Sequence, residues 1–410
     1  MMERSTNPQP DGAPQSCALP MAGIRILDMT SVMLGPYATQ MLGDYGADVI
    51  KIESPSGDTT RRTGPQPEPG MGAAFIGVNR SKRSIALDLK KAPARETLLT
   101  LVERADVLIC SIRPQKLDAL GLNPGVLHAR NPRLIIVSVH GFAQGGPYAG
   151  QPAYDDIIQG LCGFAALTEA QTGEPLYFPT VAADKTCALF AAQAILMALV
   201  GRARSGKGVH VEVPMFEAMT SFTLAEHLYG AHFAGRDGKY GYDRLMTRAR
   251  RPYRTADGYV CALPYTDVHW RRFFEEVGDT ASLQDPRFRN IAQRTRHIDA
   301  LYSILGAHLA RRPTEEWLAV CRQLDIPAAR MNRLEDLESD PQLVAGGFFM
   351  RLVDPALGEV KVTRPVLRFD AQTPQPTMPP RLGQHTIEVL REAGLSPLEI
   401  EHLLHDGAAM

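Results

Sequence analysis

The chain has 410 residues, 44% hydrophobic and 22% charged, which excludes a disordered or fibrous protein. Its length exceeds one ordinary core and implies two domains or an elaborated α/β domain. With 44 Lys and Arg against 45 Asp and Glu, the net charge of −1 gives no global case for nucleic acid, and no apolar run of 18 residues suggests a membrane span.

Residues 1–21 carry Pro8, Pro10, Pro14 and Pro20 among polar residues. They lack the apolar stretch of a secretory signal and are expected to be a flexible tail on a cytoplasmic protein. Cys17, Cys110, Cys162, Cys187, Cys261 and Cys321 form no C-x-x-C pair and have no zinc-ribbon spacing. They fit free thiols in a reducing compartment, and no metal site is expected.

Ile24 to Leu27 reads as a first strand, and Gly35-Pro36 opens a helix that stops by Gly43 and Gly46. Ala47 to Glu53, Ser84 to Leu89, Asp106 to Ile112 and Leu134 to His140 read as further strands. A helix from Pro93 to Arg104 lies among them. Strands alternating with helices predict βαβ units and a mainly parallel sheet, covered on both faces.

Asp155 to Leu167 and Asp184 to Arg204 read as helices; the second is apolar nearly all round and is expected to be buried. A short strand, His210 to Val213, and a helix from Met215 to Tyr229 follow. Residues 233–256 are rich in glycine and arginine and read as an irregular loop near a domain boundary. Beyond it, Tyr259 to Leu263 reads as a strand, with helices at Trp270–Val277, Ile298–Ala310 and Thr314–Gln323. The prolines after Pro365 suggest an extended connector, ending in helical structure from Glu388 to Leu404. The expected division is 1–21 as tail, 22–230 as large domain, 231–364 as small domain, and 365–410 returning to the large domain.

Several motifs carry little chemistry. Gly201 to Lys207 fits G-x-x-x-x-G-K, but Gly208 stands where Ser or Thr is needed, and the segment ends a helix rather than opening one. A basic, Gly-terminated C-cap explains it better. His227 and His232 lie five apart, off one helical face. No G-x-S-x-G elbow is present, and no G-x-G-x-x-G follows the first strand.

Asp184 opens the long apolar helix. It can cap that helix, worth ~1 kcal/mol. It can also be a carboxylate that the helix dipole keeps ionised and able to attack an activated carbonyl. Asp155 or Asp156 after Tyr154 can cap the next helix upstream. Asn79 to Arg83 is a solvated turn or a phosphate-contacting patch. The arginines between 244 and 254 are a solvated face or a carboxylate-holding group.

Longer blocks bring in a resemblance. Gly23 to Thr30, Gly35 to Glu53 with Gly57-Asp58, Asn79 to Leu89, and Ala105 to Ile109 with Arg113-Pro114 and Leu117 to Gly121 resemble the class III CoA-transferases. Tyr154-Asp155, Asp184, Gly206 to Gly208, Tyr253 to Gly258, Asp285 to Phe288 and Asp340-Pro341 follow in the family's order. The resemblance covers residues 22–400. It implies a Rossmann-like α/β large domain with a mainly parallel sheet, a smaller α+β domain, and two chains interlocked as a homodimer. It implies coenzyme A and acyl-CoA as substrates, no tightly bound cofactor, a carboxylic acid as acceptor, and no nucleic acid or membrane partner.

In such an enzyme the aspartate matching Asp184 attacks the donor thioester, giving an acyl-aspartyl anhydride and CoA thiolate. CoA returns to form an aspartyl-CoA thioester, the acceptor carboxylate takes the place of CoA, and the new acyl-CoA leaves. The CoA contacts implied are Val32, Met33 and Leu34; Asn79 and Lys82, with Lys82 on a phosphate; Ser111, Ile112 and Arg113; and Tyr154. Ser54 and Ala119 stand where some relatives place arginine, and Arg61, Arg62 and Arg113 are nearby cations able to compensate. Tyr154 stands where the racemase branch of the family has a proton-moving His. A Tyr with its ordinary pKa near 10 is a poor base at neutral pH, so transfer is favoured over racemisation. Arg244, Arg248 and Arg250 are the candidates to hold the distal carboxylate of a dicarboxylate such as succinate, itaconate or mesaconate. An α-methylacyl-CoA racemase and a non-catalytic CoA-binding protein remain the alternatives.

Overall fold

The computed structural model describes residues 18–233, 235, 238–369 and 373–410. Most of the expected N-terminal tail, with Cys17, lies outside the described residues. Six parallel strands form the main sheet: β1 Arg25–Met29, β2 Asp48–Glu53, β3 Lys82–Ala86, β4 Val107–Cys110, β5 Ile135–His140 and β6 Val209–Pro214. Their spatial order is β3-β2-β1-β4-β5-β6. Ile26 pairs in register with Val49 on one side and Val107 on the other. The central strands are buried along almost their whole length, as their continuous apolar runs require when both faces are covered. The five described cysteines are free thiols.

The chain divides into two units. The first holds the described residues up to Ala153, then Asp184–Met215 and Gly347–Met410. Its core joins sheet residues such as Leu27, Ile50, Ile85 and Leu108 to Val389, Leu390, Ile400 and Leu403 near the chain's end. Ala408 to Met410 lie along the free edge of the sheet, where Met410 N–H donates to the Ala86 carbonyl and Asp88 N–H to that of Ala408. The second unit is Tyr154–Ala183 with Phe216–Gly346. Its core is aromatic, built on Trp270, Phe273, Phe274, Phe288, Tyr302 and Trp317. A three-stranded antiparallel sheet of β7 Tyr253–Arg254, β8 Tyr259–Ala262 and β9 Ala328–Arg330 lies in it.

The expected boundaries at 231 and 365 are not where the units divide. Residues 154–183 pack within the second unit, Phe164 against Phe222 at 6.2 Å and Gln171 on the Arg250 carbonyl. A hairpin, β10 Phe349–Asp354 with β11 Gly358–Thr363, belongs to the first unit. Arg80 bonds Thr363 and Arg381 pairs with Asp354. The helix expected over 155–167 is two, Asp155–Leu161 and Phe164–Thr172, because Gly163 turns left-handed at φ 94°. The final helical stretch likewise splits into Thr386–Glu392 and Pro397–His405.

The long apolar helix runs from Ala182 to Ser205. By length and composition alone it is apolar enough to cross a membrane. Its Cys187, Ala188, Ala191 and Ile195 are buried, and Arg202 pairs with Asp106 at 2.7 Å, as in a core helix. The expectation that it is buried all round is corrected. Leu189, Leu196, Met197 and Val200 are 44–63% exposed and form one stripe at spacings of seven, eight and eleven.

Candidate active site

Strand order places a topological switch point in the first unit. From β1 the chain winds outward through β2 to β3, then returns to the other side of β1 for β4, β5 and β6. The loops leaving the C-terminal ends of β1 and β4 therefore diverge, and ligands of open α/β sheets bind at such a switch point. The loop after β1 carries Val32 and Met33; the loop after β4 carries Ser111, Ile112 and Arg113. Topology thus brings these five nominated residues to one end of the sheet.

The first of these loops is tied down by buried charge. Asp28, at the end of β1, accepts from Thr30 N–H at 3.0 Å, from the Thr30 hydroxyl, from Thr39 at 2.6 Å and from Lys82 Nζ at 3.0 Å. Lys51 from β2 donates to the Thr30 carbonyl and pairs with Asp58, both at 3.0 Å. Asp58 also takes Val32 N–H on both carboxylate oxygens at 3.3 Å. Glu53 accepts two bonds from Arg61 at 2.7 Å and one from Ser84 at 2.7 Å. Gly35 fits beneath because it has no side chain: a Cβ there would lie 2.3 Å from Thr30.

This cluster holds three carboxylates and three cations, each nearly solvent-free. Burial alone would raise the Asp28 carboxyl; Lys82, Lys51 and the Thr30 and Thr39 hydroxyls override it and hold Asp28 well below the carboxylate range. Glu53 and Asp58 are lowered in the same way, by Arg61 and Lys51 respectively against burial. Burial pushes the Lys82 ammonium down to about 8, with Asp28 opposing and Lys51 assisting. Lys51 is instead raised, because Asp28, Asp58 and Glu53 together outweigh its burial.

These contacts correct three expectations. The Lys82 side chain is fully buried, and its donors go to Asp28, the Pro36 carbonyl and Asn79, so it supports the loop from beneath and has no donor left for a phosphate. Asn79 is fully buried too, its amide donating to the Phe75 carbonyl. Arg61 is 2% exposed and committed to Glu53, Gly70, Pro380 and the face of Phe75, so it replaces no missing phosphate contact. Leu34 opens the Leu34–Asp44 helix with its side chain buried, which leaves only its backbone for a ligand. Sequence reasoning missed Asp28, Lys51 and Asp58; for Lys51 the available signal was a lysine inside the otherwise apolar VIKI of the second strand.

After β4, Ile112 N–H turns onto Cys110 Sγ at 3.3 Å, and Ile112 packs on the core. Arg113 precedes the Pro114–Ala119 helix and is exposed, donating to the Gly150 carbonyl at 3.3 Å. Arg62 is exposed and donates to the Ser56 carbonyl at 2.8 Å. Asp184 is the third residue of the Ala182–Ser205 helix, in its first turn and partly exposed, and so is not the cap residue itself. A carboxylate there lies at the positive end of a 24-residue helix, which favours its ionised form. Gly206 ends that helix at φ 70°, in agreement with the C-cap reading of the G-x-x-x-x-G-K segment.

Tyr154 and the three arginines belong to the second unit. Tyr154 precedes the Asp155–Leu161 helix and is 71% exposed. Arg244 lies over the Tyr242 and Tyr265 rings at 5.4 Å each and bonds the Tyr242 and Tyr302 hydroxyls. Arg248 and Arg250 are exposed. His227 takes Tyr242 N–H on Nδ1 at 3.2 Å, and among the described residues no cluster of three metal-ligating side chains occurs.

Comparison with known proteins adds a second line of evidence. The model of CoA-transferase family III matches residues 21–386. A succinate–glutarate CoA-transferase of Agrobacterium fabrum is 32% identical over 383 residues, covering 91% of this chain and 95% of the relative. A formyl-CoA:oxalate CoA-transferase of Escherichia coli is 29% identical over 409 residues, covering 93% and 97%. The crystal structure of a CAIB/BAIF family protein from Brucella suis superimposes with a TM-score of 0.77 at 31% identity, covering 92% of this chain and all of that one.

Proposed function

The chain belongs to CoA-transferase family III, and from that membership we propose that it moves CoA from a dicarboxylyl-CoA donor, such as succinyl-CoA, to a second dicarboxylate. It acts as an acyl-CoA:carboxylate CoA-transferase, with CoA thioesters as substrates rather than resident cofactors. The observation that carries the dicarboxylate reading is the near full-length likeness to an enzyme whose name pairs succinate with glutarate. Glutarate, itaconate and mesaconate share the acceptor chemistry: one carboxylate to be thioesterified, one left charged.

Asp184 is the proposed nucleophile. Its carboxylate adds to the thioester carbonyl, and CoA thiolate leaves as the acyl-aspartyl anhydride forms. The thiolate then attacks the aspartyl carbonyl and releases the donor acid, leaving an aspartyl-CoA thioester. The acceptor carboxylate attacks that carbonyl, and the thiolate finally takes the acceptor's acyl group and frees Asp184. The loops after β1 and β4 would hold the coenzyme through Val32, Met33, Ser111, Ile112 and Arg113. Arg248 and Arg250, being exposed, would grip the distal carboxylate by bidentate pairing. The exposed stripe on the Ala182–Ser205 helix supports a second copy as partner. Free thiols support a cytoplasmic setting.

One incubation tests the reading. The protein, succinyl-CoA and a panel of mono- and dicarboxylates are mixed in D₂O, with a 2-methylacyl-CoA in a parallel tube, and thioesters are read by mass spectrometry. New dicarboxylyl-CoA masses are expected. Deuterium entering the methylacyl-CoA without a new thioester would establish the racemase instead.

A further inference from the structure

Val32 has φ 69°, the left-handed region that a β-branched side chain adopts only when its surroundings impose it. Three contacts impose it. Thr30, two residues before, is held at N–H by Asp28 and at its carbonyl by Lys51. Val32 N–H points at the Asp58 carboxylate. Asp58 is itself immobile: it pairs with Lys51, accepts Thr60 N–H at 3.0 Å, and its own N–H donates to Glu53 at 3.0 Å. Asp58 is 5% exposed, whereas Val32 is partly exposed on the loop.

We propose that Asp58 is a positioning residue for coenzyme binding, holding Val32 left-handed so that the loop after β1 is preset for the CoA moiety. This rests on the CoA-transferase reading of that loop. A rigid, preset loop spares the ordering cost of binding, so the effect falls on affinity and not on the chemical step. Without the Asp58 charge, Val32 relaxes to φ below zero and must be driven back each time CoA binds. Glycine at 32 removes that conflict because it adopts positive φ freely. Proline at 32 removes both the N–H and the positive φ.

Calorimetric titration of CoA into the full chain, its Asp58→Asn variant, each of these with Val32→Gly, and a Val32→Pro variant tests the idea. Asp58→Asn is expected to weaken CoA about tenfold, the factor matching the left-handed cost for a non-glycine residue, and to raise KM with kcat little changed. Val32→Gly should recover affinity in the Asp58→Asn background and not add the same gain to the parent. Val32→Pro, on a partly exposed loop, should weaken CoA while the thermal midpoint stays near the parent's. The inference is overturned if Asp58→Asn binds as the parent does, if glycine acts equally in both backgrounds, or if Val32→Pro binds normally. Should Asp58→Asn fail to fold, Val32→Gly against Val32→Pro decides: both lose the valine side chain and only glycine keeps the positive φ, so equal CoA affinity of the two overturns the inference. A parent chain that binds no CoA overturns the family-based reading and this inference with it. A parent that binds while the variants do not differ overturns the inference only.

Discussion

Arg61 grips Glu53 through two parallel hydrogen bonds of 2.7 Å, with both side chains 2% exposed. Removing one partner of such a pair strands a buried charge, which costs about 3–5 kcal/mol. Arg61→Met should therefore lower the free energy of unfolding by that order, and Arg61→Lys should not rescue it. A lysine cannot reproduce the fork that also serves Gly70 and Pro380. Equilibrium unfolding followed by circular dichroism measures both.

Asp184→Asn should abolish turnover while leaving the fold intact. Loss of a covalent nucleophile is expected to reduce kcat by roughly a thousandfold or more. Loss of a first-turn charge costs the helix only ~0.3–1 kcal/mol. Steady-state rates and a thermal melt on the same sample separate the two. A variant that retains wild-type turnover would exclude Asp184 as nucleophile.

Acid should unfold the protein from the usual carboxylate range downward. Asp28, Glu53 and Asp58 all titrate below their ordinary values of 3.8, 4.5 and 3.8 in the native state. The unfolded chain thus binds more protons than the native one as pH falls through that range, so stability drops with pH. The contribution is complete above about pH 5 and is lost progressively below about pH 4. Urea midpoints taken between pH 6 and pH 2.5 should trace this limb, and Asp58→Asn should make it shallower.

The exposed stripe of the Ala182–Ser205 helix should bury itself against a second copy. Met197 is 63% exposed at its middle, so Met197→Glu would place a charge in the contact. Sedimentation velocity should find a dimer for the parent and a monomer for the variant. A monomeric parent at micromolar concentration contradicts the homodimer.

Arg248→Ala and Arg250→Ala should raise KM for dicarboxylate acceptors and leave that for monocarboxylates nearly unchanged. Losing a charged hydrogen bond to a bound carboxylate costs about 1.5–3 kcal/mol, or roughly ten- to a hundredfold. Acceptor titrations at fixed donor concentration measure it, and equal KM values across all three proteins remove both arginines from the site.

Strand β4 was legible as a continuous apolar run, VLIC, buried at every residue, whereas β3 was legible from the alternation in SIALDL. The Gly163 break was not, because Ile157, Ile158, Leu161, Phe164 and Leu167 keep a helical period straight through it. The Phe349–Thr363 hairpin was missed although its turn was written plainly. Pro355 follows Asp354, whose carboxylate accepts from the N–H groups of Ala356 and Leu357, and Gly358 closes the turn. At the site, the loops followed from strand order, whereas the burial of Lys51, Arg61 and Lys82 did not. A lysine in a short motif reads as solvated; only the side-by-side pairing of β1, β2 and β3 encloses it with Asp28 and Asp58.

The interrupted first unit has a consequence for how the polypeptide is made. Ribosomes deliver the six-stranded sheet well before the residues that seal one of its faces. Val389, Leu390, Ile400 and Leu403 come after the whole second unit has been synthesised. At 5–20 residues per second, the nascent sheet waits on the order of ten seconds with apolar surface and an open strand edge uncovered. A released chain cut off after Gly346 has a complete second unit and an unsealed first one, the kind of species that chaperones engage.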